Sequence, residues 1–131
     1  MGAEYMGDDS VFADAEMIAM VINLLLATGL KDFQISIGNV EYFKGLCSNA
    51  GLSEEDELAL RDLISIKNIF AAEVLIDRSS ISSASGEALK KMADLFGGVE
   101  ILEVALKHAD NDRSKAAVDR LYELYDVLKK Y

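Results

Sequence analysis

The residues able to do chemistry are few and scattered. The sole cysteine, Cys47, sits in FKGLCSNAG beside apolar Phe43 and Leu46. The sole histidine, His108, lies far along the chain among acids and a lysine. A thiol activated by an imidazole could attack a carbonyl, but a cysteine among apolar neighbours reads as a buried structural residue. Glu54, Glu55, Asp56 and Glu57 form a run of four acids. They could draw a divalent ion, yet adjacent helical positions point in different directions. Their reading is complementation of a helix dipole. DDSVFADAE is acidic too, but lacks the glycine and terminal glutamate of a calcium loop. Neither GxGxxG nor GxxxxGK is present, and HExxH, paired-cysteine metal spacings and a GxSxG elbow are missing. The residues themselves name no reaction, cofactor or metal.

Composition sets the outer limits. Of 131 residues, 51% are hydrophobic, enough for a core. No proline interrupts helices, so breaks fall to glycine and polar clusters. The net charge is -10, with eleven acids and two bases in residues 1–60. Such a half repels phosphate backbones and argues against nucleic acid as a partner. The longest apolar run, residues 17–28, is too short to span a bilayer and contains Asn23. A lone thiol fits a reducing compartment, so a cytoplasmic setting is expected.

The elements that must position these residues are mostly helical. GAEYMG, residues 2–7, suits a strand end, and DDS a turn. A helix starting near Asp14 and Glu16 carries apolar residues so widely spread (Met17, Ile18, Met20, Val21, Ile22, Leu24, Leu25) that burial on most sides is expected, with Gly29 as its C-terminal cap. Phe33, Ile35 and Ile37 alternate with Gln34 and Ser36, the pattern of a strand over 32–38. Helices follow. One ends at Gly51, and Ser53 caps the next, whose buried face is Leu60, Leu63 and Ile64. Phe70, Val74 and Leu75 continue the apolar pattern, and residues 78–86 read as a serine-rich linker. Leu89, Met92, Leu95 and Phe96 make the next stripe, which Gly97-Gly98 breaks. Val99, Leu102 and Leu106 follow, and Asn111 caps a last helix with Val118, Leu121, Tyr125 and Leu128 on one face. The fold class expected is α+β, predominantly α. Two strands alone make a marginal sheet with open edges, so self-association through residues 2–40 is expected.

Several motifs together carry a resemblance. Gly2, Glu4 and Gly7 form G-x-E-x-x-G, and Asp14-Ala15-Glu16 opens the helix. Gly29, Leu30, Asp32 and Phe33 lead into Ile37, Gly38, Val40 and Phe43. Over residues 2–68 this resembles the class II catalytic core of the histidyl-tRNA synthetase superfamily. Phe43, Gly45, Leu46, Ala50, Gly51 and Leu52, then a short acidic helix and Lys67-Asn68, are similar to the version in the regulatory subunit of ATP phosphoribosyltransferase. A true synthetase fragment is the alternative.

The resemblance implies an internal piece of a longer protein, with a partial class II core over 1–49 and a helical insertion subdomain over 50–131. It implies a non-catalytic role, supporting and regulating the first step of histidine biosynthesis. The partner implied is a short-form catalytic subunit, with histidine as a candidate ligand and a homo-oligomer as the assembly. Glu4 matches the glutamate that helps hold the histidine ammonium group, where a carboxylate supplies a charge-assisted acceptor.

Overall fold

Ser10 sets the start of the first helix. The computed structural model describes residues 2–131, and in it α1 runs Val11–Ala27. The Ser10 hydroxyl accepts from the Ala13 amide at 3.2 Å, satisfying one of the free donors of the first turn. The helix therefore begins a turn before the acids suggested, with Asp14 inside its first turn. It closes as expected at Gly29, whose φ of +90° continues the chain where a side chain would be strained.

Two expectations for this region are corrected. Burial of α1 on most sides is not found. Its buried residues are Ala13, Ala15 and Ala19, whereas Phe12, Val21, Leu24 and Leu26 are exposed. The strands over 2–7 and 32–38 are also not found: among the described residues there are seven helices and no strand. The cause is the want of a ladder. Among the described residues no backbone hydrogen bond joins residues 31–38 to another segment, and a strand exists only through its neighbour's donors and acceptors. The alternation survives in part at side-chain level: Phe33 and Ile35 are half-buried and Gln34 and Ser36 exposed, but Ile37 is exposed as well.

The remaining helices follow their caps. α2 (Val40–Ala50) starts at Asn39, whose side chain accepts from the Glu41 amide, and ends at Gly51 with φ +72°. α3 (Glu54–Ser65) is capped by Ser53 Oγ, which accepts from the Asp56 amide. α4 covers Ile69–Arg78 and α5 Ser83–Ala93. α6 is Ile101–His108 and α7 Asp112–Leu128. The serine-rich linker is shorter than expected. Ser82 caps α5, and Ser85 and Gly86 are buried inside it, so only residues 79–82 connect.

The chain forms two compact units, one of residues up to Gly38 with Asp119–Tyr131, the other Asn39–Val118. In the first, Arg120 donates through Nε and Nη2 to Asp14 at 3.0 and 2.7 Å, and through Nη2 to the Asp9 carbonyl at 2.6 Å. In the second, α2 packs on α5, α3 on α4 and α4 on α5. Its fully buried side chains include Leu60, Leu89, Val118 and Cys47.

Gly45 is fixed by the close approach of two helices. A Cβ there would stand 2.8 Å from the Ser114 amide nitrogen at the start of α7. Asn111 fills the space between them. Its Nδ2 donates to the Gly45 carbonyl at 2.6 Å, and its Oδ1 accepts from the Ser114 amide at 2.8 Å. Tyr42 completes the unit's polar interior by donating its hydroxyl to the Ala105 carbonyl at 2.9 Å.

Candidate functional site

Each candidate group can now be placed. Cys47 is fully buried in α2. Burial, with the Glu57 charge adding to it, pushes its thiol up to about 12, so no appreciable thiolate exists near neutral pH. No hydrogen bond joins it to His108 among the described residues. The pair is not a nucleophile and base.

The acidic groups have local employment. Glu54, Glu55, Asp56 and Glu57 occupy the first turn of α3, where negative charge meets the helix dipole. Asp56 also lies 3.9 Å from Arg78. Asp8 accepts from the Ser10 amide at 2.8 Å, which holds its carboxyl below the usual carboxylate range, with the Ser10 hydroxyl contributing next. Asp14 is engaged by Arg120. Among the described residues no group of three or more His, Cys, Asp or Glu side chains could hold a metal ion. Glu4 lies exposed in the non-helical segment before Ser10.

The feature that periodicity missed is a groove between α3 and α4. It is an open cavity of about 790 Å³ lined by Leu63, Ile66, Phe70 and Val74 with Asp62 and Arg78. The pattern of residues 70–75 reads as a buried face, yet Leu75 is 5% exposed and Phe70 79%. The available signal was the row Ile66, Phe70, Val74, Arg78: three apolar residues and a base at four-residue steps, spanning a turn that Lys67 takes at φ +58°. That row stands beside the core row rather than on it.

One unit is a small helical module with an apolar groove, and in the other α1 leaves much of its apolar surface open. The comparisons give the chain a family. The family model for histidyl-tRNA synthetase matches residues 1–131, and the chain belongs to that family.

Within it, the relatives are more particular. The ATP phosphoribosyltransferase regulatory subunit of Ruminiclostridium cellulolyticum is 41% identical over 130 residues, covering 99% of this chain and 31% of that protein. That of Clostridium acetobutylicum is 40% identical, covering 98% and 32%. A crystal structure of an ATP phosphoribosyltransferase regulatory subunit/histidyl-tRNA synthetase from Bacillus halodurans superposes with a TM-score of 0.89 at 29% identity, over 95% of this chain and 33% of that one. The chain spans about a third of the length of the relatives it matches. No helix among the described residues is long and apolar enough to cross a membrane.

Proposed function

We propose that this chain is part of the regulatory subunit of an ATP phosphoribosyltransferase, a non-catalytic cytoplasmic protein that supports a short-form catalytic subunit in the first step of histidine biosynthesis. The observation that carries the reading is 41% identity, over 99% of the chain, to a relative bearing that name. Histidine is the candidate ligand, with Glu4 contributing to its ammonium site. Further copies of the chain join the assembly.

Along the sequence, residues 1–49 belong to the class II core and 50–131 to a helical insertion. α2 carries the core's Phe43, Gly45 and Leu46 even though it packs on α5. The α+β character belongs to the full-length protein. Residues 2–7 and 32–38 pair there with strands from the two thirds of the relatives that this chain does not span. The half-buried Phe33 and Ile35 support this, as does the open apolar side of α1, which suits a sheet laid against it.

A second reading, a histidyl-tRNA synthetase, is favoured by the family model's name. The eleven acids against two bases in residues 1–60 count against it, because a tRNA-facing surface gains affinity from positive charge. Genetic complementation separates the two. The full-length gene is expected to restore growth without histidine to cells lacking their own regulatory subunit. Rescue of a histidyl-tRNA synthetase deletion instead would give the second reading.

A further inference from the structure

We propose that Arg120 is a positioning residue for the Glu4 carboxylate: its guanidinium fixes the point from which the segment bearing Glu4 leaves α1. The inference rests on the reading of Glu4 as part of a histidine site, and adds to that site a residue from α7.

The segment is poorly held by its own residues. Residues 2–7 are exposed, and among the described residues no hydrogen bond reaches them. Gly7 turns the chain at φ +90°, a conformation open to glycine. The turn that follows is shaped locally. Asp8 accepts from the Ser10 amide at 2.8 Å, and the Ser10 hydroxyl from the Ala13 amide at 3.2 Å. Both bonds link residues two or three apart, so they join the turn to the start of α1 and to nothing further.

Arg120 supplies the tie to another helix. Its Nη2 donates to the Asp9 carbonyl at 2.6 Å, and its Nε and Nη2 engage Asp14 at 3.0 and 2.7 Å. These contacts span 111 and 106 residues, the longest-range side-chain hydrogen bonds among the described residues. The Asp9 carbonyl needs such a donor. The helical ladder begins with the Asp14 amide on the Ser10 carbonyl, one residue later, so no α1 amide serves Asp9. An ion pair alone would stop at Asp14. The planar fork of a guanidinium reaches both the helix and the backbone ahead of it. In the sheet proposed for the full-length protein, Arg120 pins the end at which residues 2–7 hand over to α1. That matters for Glu4 because a charge-assisted hydrogen bond spans about 2.8 Å, and a carboxylate displaced by about 1 Å no longer makes it.

The test uses the full-length protein, with histidine binding followed by isothermal titration calorimetry. Glu4→Ala should weaken binding by about tenfold or more, the loss of one charge-assisted bond. Arg120→Met should weaken it by about threefold or more, as that bond is misplaced rather than removed. Its urea midpoint should change little, because a half-exposed ion pair adds little stability. The exchange Asp14→Arg with Arg120→Asp restores opposite charges on the two helices, but sets an acceptor against the Asp9 carbonyl. It should therefore bind histidine as weakly as Arg120→Met. Unchanged affinity in Arg120→Met, or full recovery in the exchange, overturns the proposal while an effect of Glu4→Ala keeps the histidine reading. No binding by the parent, or none lost in Glu4→Ala, removes that reading and the proposal with it.

Discussion

Residues 39–118 and the unit built on α1 leave large apolar side chains exposed alike, Phe70 and Phe12 among them, but fill their interiors differently. The first turns large side chains inward: Leu60 and Leu89 are 0% exposed, and the polar Ser114 is buried with both its amide and hydroxyl bonded to Asn111. The second buries Ala13, Ala15, Ala19 and Leu124 and leaves Leu24 60% and Phe12 68% exposed. α1 is the more apolar segment as sequence. The difference lies in the partner each needs. Helices 39–118 are one another's partners: α3 on α4 and α4 on α5 between neighbours in sequence, and α2 on α5 across two intervening helices. α1 carries a wide apolar surface that the described residues leave open.

The sharpest way to break that comparison is a pair of truncations. Leu89→Ala should cost about 2–5 kcal/mol, because a fully buried leucine leaves a cavity behind. Leu24→Ala should stay within about 0.5 kcal/mol, since its side chain already meets water in this chain. Urea denaturation of the two variants beside the parent measures both. Equal losses would mean that α1 is packed and the contrast false.

The approach of α2 to α7 gives the next effect. Gly45→Ala should destabilise by about 1–3 kcal/mol, as its methyl would meet backbone that cannot yield, 2.8 Å away. Gly2→Ala, in open space within the other unit, should be neutral by the same urea denaturation.

Much of this was legible before the structure. Ser53, Asn111, Gly29 and Gly51 mark helix ends because capping is local chemistry, a side-chain oxygen two or three residues from the amide it serves. The family was legible too, because Gly2, Glu4, Gly7 and the Phe43–Leu52 pattern hold fixed spacings. What failed depended on partners distant in sequence or outside it. The 32–38 strand has the right alternation and no ladder. The breadth of α1's apolar surface forecast burial that the described residues do not supply. Phe70 and Val74 lie one step around α4 from the core row of Ala72, Leu75 and Ile76, a shift that periodicity over ten residues does not resolve. Ser82 was hidden within a run of serines that read as linker.

Titration sharpens the contrast in a gentler way. In the helical unit, Cys47 is raised to about 12, mainly by burial, against roughly 8.5 for an unfolded thiol. A fold that keeps the thiol neutral holds this stability in full below pH roughly 8.5 and loses it as pH rises toward about 12. Tyr42, also raised to about 12 and first by burial, adds the same trend from roughly pH 10. Urea midpoints should fall across that range, and Cys47→Ala should fall less steeply from its own lower starting value. On the acid side, Glu41 is held below the usual range, first by its hydrogen bond from Arg113. The small stability it contributes is present above the ordinary glutamate pKa and fades as pH drops through its lowered value.

The most direct test of the functional account is a reconstituted assay. Purified full-length protein is mixed with the short-form catalytic subunit from the same cells, and phosphoribosyl transfer from phosphoribosyl pyrophosphate to ATP is followed. The account predicts that transfer rises with added protein to a stoichiometric plateau, while the protein alone shows no histidine-dependent ATP–pyrophosphate exchange. Exchange above background that Glu4→Ala abolishes, with no effect on the catalytic subunit, would contradict it.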